Sequence, residues 1–125
     1  MPSDPTVSPR VLVVEDDIDV REMLGQVLQT EGYDVGLAGD GADALRRLRA
    51  ERTPQVILLD LMMPVMNGWQ FRDEQRRDPR LSRIPVIVLS GDNGVERKAG
   101  ALGADAFLRK PVDLDALLDT VSRYC

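Results

Sequence analysis

Residues 56–60 read Val-Ile-Leu-Leu-Asp, four large apolar side chains followed directly by a carboxylate. Two other runs have the same form: Val-Leu-Val-Val at 11–14 precedes Glu15-Asp16-Asp17, and Val-Ile-Val-Leu at 86–89 precedes Ser90-Gly91. Short apolar runs without polar alternation are typical of strands that are covered on both faces, as in parallel sheets. The three runs therefore predict the central strands of a parallel sheet.

Segments with helical periodicity separate these strands. Apolar residues recur at the i, i+3, i+4 and i+7 spacing from Val20 to Leu28 and from Leu114 to Val121. Gly32 is placed to end the first of these helices, and Asp113 to cap the second. Further helices are predicted over 42–49, 67–77 and 95–102, and weaker strands over 33–38 and 106–109. The alternation predicts an α/β fold, (βα)5, with a parallel sheet covered by helices on both faces.

Composition excludes several classes of protein. The chain has 125 residues, a net charge of −5, no histidine and a single cysteine, Cys125. This length predicts one domain, residues 10–125, after a flexible tail at 1–9. Without histidine there is no Ser-His-Asp triad or zinc-hydrolase pattern, and one cysteine cannot form an internal disulfide. The lack of a long apolar run or secretory signal predicts a cytoplasmic protein without a membrane partner, and the acidic balance argues against binding DNA.

Polar residues follow the apolar strands at the point where each one ends. Asp16, Asp60, Ser90 and Lys110 follow four different predicted strands. Ligands of open α/β sheets bind outside the carboxyl ends of the strands, so these residues are expected to converge. Clustered carboxylates repel one another, and Mg²⁺ with oxygen ligands relieves that repulsion. Together with an ammonium and a hydroxyl, the set predicts a phosphoryl-transfer site.

Each residue alone also has a structural interpretation. Asp17 is placed to cap a helix, Ser90-Gly91 fits a turn, and Lys110 before Pro111 fits a solvated loop. Phe107, taken by itself, fits a buried strand position. Four strand ends with complementary groups are harder to explain by capping and turns, so the functional interpretation is favoured for the set.

The combined motifs resemble the receiver domain of bacterial two-component response regulators over about residues 10–124. The matching segments are VLVVEDD at 11–17, LLDLMMPVMNGW at 58–69, VIVLSG at 86–91 and ADAFLRKPVD at 104–113. The resemblance implies a flavodoxin-like, doubly wound five-stranded sheet in the order 2-1-3-4-5. It also implies a single-domain, chemotaxis-type receiver that acts as a monomer.

The resemblance further implies a role for each matching residue at the predicted site. Asp60 would accept a phosphoryl group from a phosphohistidine on a sensor histidine kinase or a histidine phosphotransfer protein. Mg²⁺, or Mn²⁺ in its place, would be held by Asp16, by Asp60, by the backbone carbonyl of Met62 and, through water, by Glu15. Ser90 and Lys110 would bind phosphoryl oxygens.

Signal output is implied in the same way. Phe107 would be the switch aromatic, which rotates inward as Ser90 moves toward the phosphoryl group. Lys110-Pro111 would be a cis peptide. Met62 and Asp92 would tune loss of the phosphoryl group. The surface formed by the fourth helix, fifth strand and fifth helix would control binding of a downstream protein.

Two other functions remain open on the sequence. A metal-dependent phosphatase also uses an Asp after a strand but needs a second acid two residues on, where this chain has Met62. A receiver-like scaffold that never accepts a phosphoryl group is the other alternative, and the complete set of site residues argues against it.

Overall fold

The computed structural model describes residues 8–63, 65–91 and 94–125. The first seven residues of the predicted tail lie outside this range. Ser8 and Pro9, also assigned to the tail, are held through their carbonyls: Pro9 O accepts from the amide of Asp34 at 2.9 Å, and Ser8 O accepts from the guanidinium of Arg52 at 2.6 Å. Backbone pairing therefore extends just beyond the start of the first strand.

Five strands alternate with five helices along the described chain. The strands are β1 (Arg10–Val14), β2 (Asp34–Ala38), β3 (Val56–Asp60), β4 (Val86–Ser90) and β5 (Ala106–Arg109). The helices are α1 (Ile18–Thr30), α2 (Gly41–Ala50), α3 (Gly68–Arg77), α4 (Val95–Leu102) and α5 (Leu114–Ser122). All strand pairs are parallel, in the order β2-β1-β3-β4-β5, which confirms the predicted fold class.

Local capping explains where the helices begin. Asp17 accepts from the amides of Asp19 and Val20, which confirms its structural role at the start of α1. Asp40 and Asp113 cap α2 and α5 in the same way. Asn67 forms a reciprocal capping box with Gln70 at the start of α3. These four capping residues lie in the segments that follow β1, β2, β3 and β5.

Two hydrophobic layers cover the sheet. Helices α2, α3 and α4 pack on one face, where Leu45, Phe71 and Leu102 are buried against strand residues. Helices α1 and α5 cover the other face, where Leu24 and Leu117 are fully buried. All five residues of β3 and of β4 are buried, as expected for strands between two helical layers. In the described ranges, no helix combines the length and apolar character needed to span a bilayer.

Candidate functional site

An open cleft of about 570 Å³ lies at the carboxyl edge of the sheet. Its walls come mainly from the last residues of β3 and β4 and from the residues that follow β1, β4 and β5. The lining residues are Glu15, Asp16, Asp17, Val20, Asp60, Met62, Ser90, Gly91 and Lys110. The structure therefore brings together Asp16, Asp60, Ser90 and Lys110, although up to 94 positions separate them along the chain. Register explains the convergence, because Asp60 on β3 pairs with Leu89 and Ser90 on β4 pairs with Arg109.

Three of the carboxylates that line this cleft form a cluster. Glu15, Asp16 and Asp60 each offer an oxygen within 4.8 Å of the others. Glu15 and Asp60 are almost completely buried, whereas Asp16 is exposed at the mouth. The amide of Glu15 donates to Ala38 O at 3.0 Å, so the β1–β2 pairing continues one residue past the strand and directs Glu15 inward.

Lys110 is the cation of the cleft. Its Nζ lies 2.6 Å from Oε1 of Glu15 and 3.5 Å from Oδ1 of Asp60. Its amide donates to Ser90 O at 3.0 Å, and the following peptide bond to Pro111 is cis, the conformation that the sequence resemblance implies. Burial by itself would lower the pKa of the ammonium, but the hydrogen bond and charge of Glu15, together with Asp60, raise it above its usual value. Lys110 therefore stays protonated.

The carboxyl group of Asp60 is the most perturbed acid in the cleft. Burial, followed by hydrogen bonding to Glu15 and Asp16, raises the pKa of Asp60 to about 7, while Lys110 acts in the opposite direction. One nearby ammonium does not compensate three clustered carboxylates. Additional positive charge in the cleft would favour the ionised form of Asp60.

The donor set fits a hard divalent cation. All three acidic residues offer oxygen, which Mg²⁺ prefers. Among the buried side-chain nitrogen and oxygen atoms of the described residues, only Oε2 of Glu15 has no hydrogen-bond partner. A buried oxygen without a donor is costly, and a cation or its bound water would satisfy it. The cluster therefore has the chemistry that a magnesium site requires.

Several predicted residues lie around this acidic centre. Met62 is 70% exposed, and its amide donates to Oδ1 of Asp60 at 3.2 Å. Ser90 is buried at the end of β4. Phe107 is half-buried on β5, packs against the core and lines a separate cavity of about 390 Å³ with Ala99 and Thr120. Asp92 lies outside the described residues.

Sequence reasoning missed two residues that shape the cleft. Arg21 on α1 donates from Nη1 to Glu15 O at 2.9 Å and so holds the backbone of the acidic pair. Gly68 begins α3 against the Asp60 loop, where a Cβ would come within 2.9 Å of Leu61 Cα and 3.1 Å of Asp60 O. The basic residue on the first turn of α1 was the available signal for Arg21. The signal for Gly68 was a glycine directly after Asn67, the first residue of the helix predicted over 67–77.

Comparison with known proteins identifies the family. The family model described as "Response regulator receiver domain" matches residues 11–122. The response regulator MprA of Mycobacterium ulcerans is 39% identical over 114 residues, covering 90% of this chain and 48% of the relative. RpaA of Synechocystis, described as a DNA-binding dual master transcriptional regulator, is 35% identical over 115 residues, covering 90% of this chain and 47% of the relative. The chain thus spans about half the length of these curated relatives.

Solved structures agree in fold. The chemotaxis protein CheY4 of Vibrio cholerae matches with a TM-score of 0.86 at 35% identity, covering 95% of this chain and all of that one. A response regulator receiver protein from Pseudomonas putida also gives a TM-score of 0.86, at 33% identity, covering 94% of this chain and 98% of that one. Family model, relatives and solved structures converge on one assignment: this chain belongs to the response regulator receiver domain family.

Proposed function

We propose that this signalling receiver takes a phosphoryl group onto Asp60 from a phosphohistidine on a sensor histidine kinase or a histidine phosphotransfer protein. The observation that carries the proposal is the position of Asp60, a buried carboxylate with its oxygen 3.5 Å from an ammonium and beside two further acids. The family supplies the reaction class, since receivers belong to two-component response regulators.

The transfer is a displacement at phosphorus. An oxygen of ionised Asp60 forms the new P–O bond, the P–N bond of the phosphohistidine breaks, and its electron pair returns to the imidazole nitrogen. The product is an acyl phosphate on this chain and a free histidine on the partner. This chain has no histidine, so the donor imidazole belongs to the partner.

Asp16, Asp60 and the backbone carbonyl of Met62 would hold Mg²⁺ or Mn²⁺, with Glu15 acting through a water. The cation supplies charge that keeps Asp60 ionised and offsets the negative charge of the phosphoryl oxygens. Lys110 provides a fixed positive charge at the same place. Ser90 offers a hydroxyl at the end of the neighbouring strand, from which it would donate to a phosphoryl oxygen.

The switch would connect this site with the surface formed by α4, β5 and α5. Phe107 pairs in register with Val88, two residues before Ser90, and borders the cavity that also touches α4 and α5. A displacement of Ser90 toward the phosphoryl group would leave space for Phe107 to rotate inward. The altered surface would then bind or release a downstream protein.

Met62 and Asp92 would set the lifetime of the phosphoryl group. The thioether of Met62, exposed over the cleft, would limit the approach of a hydrolytic water. Asp92 would orient that water instead.

The proposal also covers the domain bounds and the setting of the protein. The receiver domain would span residues 10–125 after a short tail. It would be a monomer in the cytoplasm and would make no DNA contacts of its own.

Phosphorylation by a small donor tests the acceptor directly. Acetyl phosphate with Mg²⁺ should add one phosphoryl group to the wild type, detected by intact mass, and none to Asp60→Asn. Removing Mg²⁺ with EDTA should abolish the addition. Asp17→Asn is the matched control, because it removes a carboxylate from the same cleft but keeps a side chain that caps α1. Equal labelling of Asp60→Asn and the wild type would overturn the proposal.

A further inference from the structure

A buried arginine joins α3 to the C-terminal end of α4. Arg72 is 8% exposed; its Nε donates to Leu102 O at 3.1 Å, and its Nη2 donates to Gly103 O at 2.9 Å. The last carbonyls of a helix have no partner within the helix, and they carry the negative end of its dipole. The guanidinium of Arg72 supplies both hydrogen-bond donors and a positive charge to these carbonyls. The two bonds therefore hold the end of α4 against α3.

Arg72 is itself held in place by a second buried side chain. Its Nη1 donates to Oε1 of Gln75 at 2.7 Å. Gln75 is fully buried, and its Nε2 donates to Leu81 O at 2.9 Å and to Ile84 O at 3.1 Å, in the connection between α3 and β4. Arg72 is therefore bonded directly to the backbone at the end of α4 and, through Gln75, to the backbone of the α3–β4 connection.

Arg76, one turn along α3, reinforces the same end of α4. Its guanidinium also donates to Leu102 O. Gly103 adopts a left-handed φ of +67°, and a Cβ there would lie 2.1 Å from Nη2 of Arg76. Glycine adopts this conformation without strain and leaves the space to the guanidinium of Arg76.

The N-terminal half of α4 has a different character. Its N-cap position is Gly94, which has no side chain to cap the helix, and Glu96 and Arg97 are exposed. Ser90 ends β4 only four residues before Gly94, so the phosphorylation site is connected to this half of α4.

From this contrast we infer that Arg72 is a positioning residue for the switch, which holds the C-terminal end of α4 fixed so that a change at Ser90 displaces the N-terminal end. The inference rests on the proposed function, because it concerns how the same site transmits its state. Without Arg72, the helix would move as a whole, and the response would spread to its C-terminal end.

Amide hydrogen exchange measured by NMR tests this mechanism, with Mg²⁺ and beryllofluoride as the activating probe. The amide of Lys98, bonded to Gly94 O, reports on the N-terminal half. The amides of Gly103 and Ala104, bonded to Gly100 O and Ala99 O, report on the other end. In the wild type, activation should change the Lys98 exchange rate at least about threefold and the other two less than about twofold.

Arg72→Met should transfer the response to the C-terminal amides, so that activation changes Gly103 and Ala104 at least about threefold as well. Arg77→Met is the matched control: among the described residues Arg77 pairs with Asp73 and Glu74 on its own helix, so this variant should keep the wild-type pattern. Arg76→Met, at an exposed position, should shift the pattern in the same direction to a smaller extent, and this variant decides the matter if Arg72→Met does not fold.

Two results separate this inference from the proposed function. If acetyl phosphate labels Asp60 normally but the arginine variants keep the wild-type exchange pattern on activation, the positioning role of Arg72 is overturned and the proposed function stands. If the wild type is not labelled at Asp60, the proposed function fails first, and the inference fails with it. A uniform rise in exchange across α4 that does not depend on beryllofluoride would assign Arg72 a structural role only, which also overturns the inference.

Discussion

The two edges of the sheet, where the strands begin and where they end, differ in the balance between acidic and basic side chains. At the edge where the strands begin, Arg10 pairs with Asp34 and Glu51, and Arg52 pairs with Asp34. These acids and bases balance one another. At the edge where the strands end, the clustered carboxylates of Glu15, Asp16 and Asp60 lie beside the ammonium of Lys110, and a buried oxygen of Glu15 lacks a hydrogen-bond partner among the described residues.

The pKa values of one acid from each edge, Asp34 and Asp60, shift in opposite directions. Hydrogen bonds from Arg52 and then Arg10 lower the pKa of Asp34, whereas burial and neighbouring acids raise that of Asp60 to about 7. Ionisation of Asp34 therefore stabilises the fold, and ionisation of Asp60 destabilises it. An edge that retains uncompensated charge at the expense of stability is typical of a binding or reaction site.

The largest expected difference between the edges is in reaction rate. Lys110→Met should lower the initial rate of phosphoryl addition from acetyl phosphate at least about tenfold, because it removes a fixed positive charge beside Asp60. Arg52→Met, which removes a cation from the opposite edge, should leave the rate unchanged. Folding of Lys110→Met is verified by circular dichroism. If this variant were labelled at the wild-type rate, the charge of Lys110 would affect the reaction no more than the charge of Arg52 does.

A smaller effect is expected on stability above neutral pH. The pKa of Asp60 is higher in the folded than in the unfolded protein, so its stabilising proton is present below about pH 4 and is lost as the pH rises through about 7. In EDTA at pH 8, Asp60→Asn should therefore unfold with a free energy about 1–2 kcal/mol above that of the wild type, allowing for solvent screening in an open cleft.

Urea denaturation of both proteins at pH 8 and pH 4 measures this difference. The difference in unfolding free energy between Asp60→Asn and the wild type should be smaller at pH 4, where Asp60 is protonated in the folded wild type. A variant less stable than the wild type at pH 8 would contradict the assignment of Asp60 as a destabilising charge.

The smallest effect is expected at the opposite edge, with the opposite sign. The pKa of Asp34 is lower in the folded protein, so its contribution is present above the unfolded pKa of about 4 and is lost as the pH falls through the folded value. Asp34→Asn should lose less than about 1 kcal/mol at pH 7, because its ion pairs are partly exposed. Urea titrations at pH 7 and pH 3 check this, and a loss that persists at pH 3 would exclude the ion pairs as its cause.

The sequence predicted most of the fold because the relevant signals are local. Unbroken apolar runs such as Val56–Leu59 select buried strands, and Asp17, Asp40 and Asp113 stand where helices begin. The bounds of β5 and α4 agree with the prediction, and β2 begins one residue later than predicted. Strand periodicity and capping depend on neighbouring residues, so they can be recognised before any tertiary contact is known.

The convergence of the site residues was also predictable in outline, because parallel strands bring their carboxyl ends to one edge. The contacts that join distant segments were not. The bonds from Arg21 to Glu15 and from Arg72 to Leu102 depend on how helices pack on the sheet and on each other. A basic residue on the first turn of α1 was the one local signal for Arg21, and no local pattern distinguishes Arg72 from a solvated surface residue.

By itself, then, the amino-acid order determined which segments become strands and helices and which polar groups stand at the strand ends. Only the tertiary structure decided that Lys110 lies nearer to Glu15 than to Asp60, and that the pKa of Asp60 reaches about 7. The physical reason is that periodicity and capping act between near neighbours in the chain. Charge interactions instead depend on distance and desolvation, and both are set by the packing of the whole domain.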